Sequence, residues 1–537
     1  MEKTYKSKIY TTIRIKNKAT FFSIISCCSI TSFQLQGENV NIRKPNVVII
    51  LADDMGYGDI SFNNPFSRIK TPNIDQLATD GLCFTDAHAG AAVSIPSRYG
   101  LITGCYKFRA EKKESYMGYL PPLIEPERET IASLMQKAGY TTACVGKWHL
   151  GLTWGRKDDS KPLISDRKTP GYTNVDFSAP VKGGPDAVGF DYYYILPASL
   201  DMPPYAFVRD GRVIDPEMIL TADAYPHSLE NTQHAWDSKY VSENDIYWDR
   251  GVWWRNGEMS RSFKVEDCLD NIVDEGLSFI KKHVTKNKEK PFMLYLPLTG
   301  PHTPWMPNNI FKNSTEMGTY GDFITQIDHM VHRVNEMLKQ LQIDENTMVI
   351  FATDNGSAWE EEDILAYAHR SNGPWRGMKG DAWEGGHHVP LFIKWPAEIK
   401  NAQKYAGTVS LIDLLATFAE LTGQAIDKRY GEDSFSFYPV INGNLSDPIR
   451  DHIIYISSSG KRAITKGDWK YIDALGSAGF SAPEHVDPVP GGPTGQLYNL
   501  AEDPAETTNR FFTDKETADE LKALLEQLVD QGYSVQR

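Results

Sequence analysis

Two acidic pairs, Asp53-Asp54 and Asp354-Asn355, stand three hundred residues apart, and each closes a run of apolar residues. Three carboxylates and an amide make an oxygen-only donor set. Hard cations prefer such a set, Ca2+ first and Mg2+ second, whereas zinc would want His or Cys among its ligands. A third apolar run ends in Lys147-Trp148-His149, where the spacing turns ammonium and imidazole to one face of an extended chain. A fourth leads to Gly300-Pro301-His302-Thr303-Pro304, an imidazole in a stiff loop. The string Ser94-Ile95-Pro96-Ser97-Arg98, continuing to Thr103-Gly104, places a hydroxyl at the start of a short helix. Free amides there can hold an anion, and Arg98 can reach back one turn as a fixed charge. Taken singly, each signal has a plain alternative: DD and DN pairs make Asx turns or caps, and a helix bounded by Pro and Gly needs no function. Their shared place at the ends of four apolar runs selects the chemical reading.

Those runs are Asn46–Leu51, Thr142–Gly146, Met293–Leu296 and Met348–Thr353. They are short and apolar on both faces, as central strands of a parallel sheet are. Helical patterns over Asp75–Gly81, Thr130–Gly139 and Tyr320–Leu341 separate them, which predicts an α/β layered sheet. Such sheets bind ligands at the carboxyl ends of their strands, where the acid pairs, Lys147, His149 and His302 fall.

Composition narrows the classes. The 537 residues, 41% hydrophobic and 23% charged, suit one large core with room for a smaller second unit. Acids outnumber bases, 70 to 56, and a net charge of −14 excludes a general polyanion-binding surface. An anionic substrate must be gripped by a few placed cations. Six cysteines are too few for a disulfide-built scaffold, and Cys83 and Cys144 sit in apolar runs that predict buried thiols. Residues 1–37 read as an export segment: Lys3, Lys6, Lys8, Arg14, Lys16 and Lys18 precede an apolar stretch from Ala19 to Phe33. Ile24-Ile25-Ser26-Cys27 resembles a bacterial lipoprotein box, leaving a lipid anchor at Cys27 and a soluble periplasmic form as the two outcomes.

The Ser94 string resembles the hallmark of the formylglycine-dependent type I sulfatases, in which Cys or Ser is followed by x-Pro-x-Arg and, after a short helix, Thr-Gly. This chain carries the Ser form. The resemblance extends to Asp53-Asp54, to Gly146-Lys147-Trp148-His149-Leu150-Gly151, to His302, to Asp354-Asn355-Gly356 and to Lys379-Gly380 through Glu384-Gly385-Gly386, in the family's order. It implies an alkaline-phosphatase/sulfatase-like mixed sheet sandwiched by helices over 44–440, with a small α+β C-terminal subdomain over 450–537. It implies that a Ser-type sulfatase-maturating enzyme oxidises Ser94 to formylglycine (3-oxoalanine), which is then hydrated. It implies one Ca2+ held by Asp53, Asp54, Asp354, Asn355 and the modified Ser94. By the same resemblance, the metal and Arg98 would activate the hydrate, while Lys147 and Lys379 would clamp sulfate oxygens. His302 would protonate the leaving alcohol, and His149 would take the proton whose loss expels sulfate. The expected substrate is a sulfated oligosaccharide or glycan.

Three further positions are expected to touch substrate: Asp201, before the rigid Pro203-Pro204 turn, and Asn372 and Arg376, which alternatively brace the Lys379 loop. An aromatic cluster, Trp236, Tyr240, Tyr247, Trp248, Trp253 and Trp254, could stack on sugar rings or staple a large insertion to the core. Short strands over Ile453–Ser457, Arg462–Ile464, Trp469–Ile472 and Leu497–Leu500 and a helix over Asp514–Gln531 build the C-terminal part. The loop from Ser481 to Gly495 is expected to fold back and narrow the pocket. Two competing readings stay open at this point. One is a formylglycine-dependent phosphonate or phosphate ester hydrolase of the same fold; a two-zinc phosphatase would need further His ligands. The other is a non-catalytic glycan-binding lipoprotein whose Ser94 is never oxidised.

Overall fold

A computed structural model of the chain describes residues 44–111, 117–165, 171–224 and 255–537. The export segment with Cys27, and the aromatic residues Trp236, Tyr240, Tyr247, Trp248, Trp253 and Trp254, lie outside the described residues.

The four apolar runs become neighbouring strands. In chain order the large sheet comprises β1 (Asn46–Ala52), β2 (Leu82–Phe84), β3 (Thr141–Lys147), β4 (Tyr192–Leu196), β5 (Val208–Arg209), β6 (Arg212–Val213), β7 (Phe292–Pro297), β8 (Thr347–Thr353), β9 (Leu391–Lys394) and β10 (Gln403–Tyr405). Their spatial order is β10-β2-β9-β8-β1-β7-β3-β4-β5-β6. The five central strands, β8 to β4 in that order, are parallel, and antiparallel pairings occur toward both edges. The sheet is therefore mixed, with the parallel part inside, where both faces are covered.

Alternation along β1 assigns its side chains to two cores. Val47, Ile49 and Leu51 pack with α2 (Ser94–Thr103), α3 (Ile131–Lys137) and α6 (Leu414–Thr422). Val48, Ile50 and Ala52 pack with α1 (Pro72–Thr79), α4 (Cys268–Asn287) and α5 (Gly318–Gln340). Each buried Val, Leu or Ile contributes roughly 1.5–3 kcal/mol of transfer free energy, so a strand apolar on both faces is held from both sides. Cys83, Cys105, Cys144 and Cys268 are buried free thiols.

Helix α1 starts at Pro72, earlier than the Asp75 expected from pattern. Its first free amides, on Asn73 and Ile74, donate to Asp328 Oδ1 from α5, at 2.9 and 2.8 Å. The cap comes from 255 residues away, so no local signal announced it.

A four-stranded antiparallel sheet follows: β11 (His452–Ile456), β12 (Arg462–Lys466), β13 (Trp469–Ile472) and β14 (Gln496–Asn499). One face, with Ile454, Ile464 and Leu497, packs on Leu521, Leu525 and Leu528 of α7 (Lys515–Asp530). The other face, with Ile453, Tyr455 and Ile472, packs on Ala382 and Trp383. That second contact ties the small sheet to the loop that follows Lys379. The described residues between 44 and 537 form one compact unit.

Candidate active site

The site lies where the parallel strands β1, β3, β7 and β8 end. The Asp53 amide donates to the Gly300 carbonyl at 2.9 Å and the Asp354 amide to the Ala52 carbonyl at 3.2 Å, so three strand ends are stitched together. Asp54 and His149 both take left-handed backbone, φ +63° and +56°, conformations that non-glycine residues adopt at a sterically determined penalty and that concentrate at functional sites. At the end of β3, Gly146 has φ +134°, and an added Cβ would meet the Pro297 carbonyl oxygen at 1.9 Å. Only glycine lets β3 run that close to β7 before Lys147.

Carboxylate oxygens of Asp53, Asp54 and Asp354 lie within 4.8 Å of one another, all buried. Asn355 adds its amide, whose nitrogen donates to Asp54 Oδ1 at 2.7 Å. Three cations neutralise the group, Lys147 and Arg98 fully buried and Lys379 partly exposed to the cavity. Lys147 Nζ is 2.6 Å from Asp53, Lys379 Nζ 2.7 Å from Asp54, and Arg98 spans Asp354 at 2.8 Å and Asp53 at 3.2 Å. Breaking one partner of such buried pairs strands a charge in low dielectric, which typically destabilises by about 3–5 kcal/mol. Burial alone would lift the Asp53 carboxyl, but Lys147, His302 and Arg98 together hold it below the ordinary carboxylate range. Burial works against the Lys379 charge too, and Asp54 and Asp53 outweigh it, keeping the ammonium firmly protonated.

Ser94 is the first residue of α2, which closes at Gly104 in left-handed conformation. Its Oγ donates to Asp53 Oδ1 at 3.2 Å or Asn355 Oδ1 at 3.4 Å and lies 3.5 Å from Lys147 Nζ. The hydroxyl thus sits on the rim of the acidic cluster with a cation behind it. Arg98, one turn on, is wholly buried and reaches the carboxylates rather than open cavity.

The two imidazoles are held differently. His149 is buried with neither ring nitrogen hydrogen-bonded. Burial, reinforced by Lys147 and Arg98, pushes its pKa well below the ordinary histidine value, so the ring is a neutral base at pH 7. His302 Nδ1 is 2.7 Å from the Thr303 carbonyl, which can only accept, so Nδ1 carries a proton. Its Nε2, 3.6 Å from Asp54 Oδ2, is the nitrogen left for chemistry.

These groups open into a cavity of ≈ 940 Å3 whose lining includes Asp54, Ser94, His149, Asp201, His302 and Lys379. Asp201 is buried; Oδ2 accepts from Arg255 at 2.5 Å, and Oδ1 has no hydrogen-bond partner although it faces His302 Nδ1 at 3.7 Å. Burial would raise this carboxyl, and His302 and Arg255 hold it low.

Asn372 and Arg376 are corrected: neither lines the cavity. Asn372 Oδ1 accepts from the Ser357 amide at 2.9 Å and hydroxyl at 3.0 Å, while Arg376 donates to the Glu506 carbonyl at 2.8 Å and stacks on Trp383 at 3.6 Å. Both brace the loop around Lys379. The expectation for Ser481–Gly495 is corrected as well. The C-terminal wall is instead Ile456 to Gly460, Arg462 and Phe480, and no residue of 481–495 lines the cavity. Sequence reasoning also missed Phe108 and Arg255 in the cavity lining, since a cavity assembled from distant loops leaves no local pattern.

Two other groups of ligand-type side chains lie apart from this cavity: Asp86, His88 and His388, and His88, Glu384 and His387. Every imidazole nitrogen there is already partnered, by Asp86, by another histidine, by Glu384, by Lys470 or by a carbonyl. They form a buried polar network under the small sheet.

A family model described as Sulfatase matches residues 45–424. The chain is 32% identical to the N-acetylgalactosamine-6-O-sulfatase of Bacteroides thetaiotaomicron over 502 residues, 90% of this chain and 93% of that protein. Human steryl-sulfatase is 27% identical, over 76% of this chain and 72% of that one. A solved B. thetaiotaomicron structure, from a genetic locus for metabolism of multiple glycosaminoglycans, superposes with a TM-score of 0.74 at 30% identity. It covers 90% of this chain and 99% of its own.

Proposed function

This chain belongs to the sulfatase family and is a sulfuric ester hydrolase, and on that premise we propose that it removes O-sulfate from sugar units of sulfated glycans. One relative that spans 90% of the chain is an N-acetylgalactosamine-6-O-sulfatase, and the cavity is broad enough for a sugar, with an unpartnered carboxylate oxygen on Asp201 to accept a ring hydroxyl. The observation that carries the reading is the contact of Ser94 Oγ with Asp53, Asn355 and Lys147 at the start of α2.

Asp53, Asp54, Asp354 and Asn355 fit a hard divalent ion, because three carboxylates converge in a buried pocket without sulfur or imidazole among them, and Asn355 Oδ1 lies 3.4 Å from the same Ser94 Oγ that touches Asp53. These residues would hold one Ca2+, which supplies fixed positive charge beside the sulfate when bound. Ser94, oxidised to formylglycine and hydrated, would supply the nucleophilic oxygen. The remaining roles belong to the chain's own side chains. Lys147 and Lys379 hold sulfate oxygens and answer the negative charge that develops on them. Arg98 keeps Asp354 and Asp53 in place. His302 Nε2 delivers a proton to the departing sugar oxygen, its ring fixed by the Thr303 carbonyl. Neutral His149, with both nitrogens free of hydrogen bonds, accepts the proton of the second hydroxyl on the Ser94-derived hydrate, the loss of which expels sulfate. Export to the periplasm, free or lipid-anchored, is part of the proposal and accords with the basic and apolar run of residues 1–37.

The test is the tryptic peptide Thr71–Arg98, which contains Ser94 and no internal Lys or Arg. Protein from its native host is expected to show loss of two hydrogens and aldehyde reactivity there, and to release sulfate from defined sulfated sugars. An unmodified Ser94 in active native protein would remove the nucleophile from the scheme.

A further inference from the structure

One cation on the outer wall of the cavity has no role in the chemistry above. Arg462 opens β12 and lines the cavity beside Phe108, with its guanidinium 5.4 Å from that ring's centroid. Among the described residues its side chain makes no ion pair or hydrogen bond. The neighbouring cations have other tasks: Lys379 pairs with Asp54 and serves the scissile sulfate, Arg255 pairs with Asp201, and Lys107 contacts the Glu111 carbonyl at 3.1 Å and the Tyr99 ring at 5.0 Å. A half-buried guanidinium without a counter-charge, in a chain with 70 acids, is a group kept open for an anion from outside.

Its distance from the reacting end is fixed by backbone. Arg462 is the cross-strand partner of Ile456. The Ile456 carbonyl accepts from the Ala92 amide at 2.8 Å, two residues before Ser94. The Ser458 amide donates to the Gly380 carbonyl at 2.8 Å, next to Lys379. The hairpin that presents Arg462 is therefore tied to both loops that hold the reacting sulfate. At ≈ 940 Å3 the cavity lies near the top of the range of about 300–1,000 Å3 for small-molecule sites, with space beyond the sulfated ring.

Building on the sugar-sulfatase reading, we infer that Arg462 binds an oxyanion, a carboxylate or a second sulfate, on the sugar adjacent to the one that carries the scissile sulfate. Phe108 supports that neighbouring ring. The substrate class is thus an acidic oligosaccharide, read across two sugars.

The experiment compares kcat/KM for three disaccharides with the same sulfated sugar. In one the neighbour is a hexuronate, in the second that carboxyl is reduced to the alcohol, and in the third the reduced neighbour carries a second sulfate. Wild type is expected to prefer one anionic disaccharide over the reduced one by about 10–100-fold, the range of a charge-assisted contact. Which one is preferred identifies the oxyanion. Arg462→Gln should bring that ratio to about one, and Arg462→Lys should keep part of it. A wild-type ratio near one, or a ratio unchanged in Arg462→Gln, overturns the inference. Should Arg462→Gln fail to fold, the wild-type ratio and its change in Arg462→Lys decide alone. If wild type hydrolyses an aryl sulfate but no sulfated sugar, the parent reading falls and this one with it, an outcome visible without any variant.

Discussion

His149 and His302 differ in what surrounds their ring nitrogens, and the difference separates their expected phenotypes. His302 has one nitrogen spent on a carbonyl and the other free to protonate a leaving oxygen. A sugar alkoxide needs that proton and a nitrophenolate does not. His302→Ala should lower kcat on a sulfated sugar by about 10²–10⁴-fold and on 4-nitrophenyl sulfate far less. His149 acts on the nucleophile rather than the leaving group, so His149→Ala should depress both substrates alike. Steady-state kinetics of the two variants on the two substrates checks this, and equal losses for His302→Ala would remove it as the acid. The motif residues themselves were legible in sequence because each pairs a reactive side chain with a structural marker: Ser94 with Pro96 and Gly104, the acids with strand ends, Lys147 with His149 at a two-residue spacing. Asn372 and Arg376 stayed between two readings in sequence because polarity near a motif does not distinguish a residue that faces the cavity from one that braces the loop behind it.

At the scale of elements, the start of α1 is capped by a single buried carboxyl of α5. Asp328 accepts from the Asn73 and Ile74 amides and the Asn73 side chain. Burial outweighs those hydrogen bonds and raises its pKa to about 6, against 3.8 when free. A raised carboxyl favours the protonated fold, so its contribution is full below about pH 4 and is lost as pH rises through about 6. Asp328→Asn cannot titrate. Between pH 3 and 7 the stability of wild type should fall relative to this variant by roughly 3 kcal/mol, read from urea unfolding at several pH values. Identical pH dependence in the two proteins would show that the carboxyl titrates normally. The strands of the central sheet were legible because burial on both faces leaves unbroken apolar runs. The true start of α1 was not, because its cap arrives from another element.

Across the whole molecule, the acidic cluster joins residues of β1 and β8 that are distant in the chain, and Ser94 adds α2. The unfolded chain cannot hold an ion with that set. Calcium should therefore raise Tm, by the equivalent of about 2.7 kcal/mol at a hundredfold excess over Kd, and chelation should reverse it. Asp354→Asn should weaken the shift strongly in differential scanning calorimetry; an equal calcium response in wild type and variant would place the ion elsewhere. The net charge of −14 belongs to this scale too. A negative surface discourages polyanions in general, and the few inward cations confine attraction to the cavity.

The sequence by itself determined the family, the parallel core and the residues at its strand ends, because these are set by local patterns: apolar runs, reactive pairs and helix punctuation. Only the tertiary structure decided that Arg98 faces carboxylates, that Asn372 and Arg376 turn away, and that the hairpin from Ile456 to Arg462 closes the far wall. The reason is physical. A strand-end site inherits its position from the strands that the sequence encodes, whereas a cavity wall is a meeting of loops whose backbone hydrogen bonds, Ala92 to Ile456 and Ser458 to Gly380, exist only once distant segments are folded together.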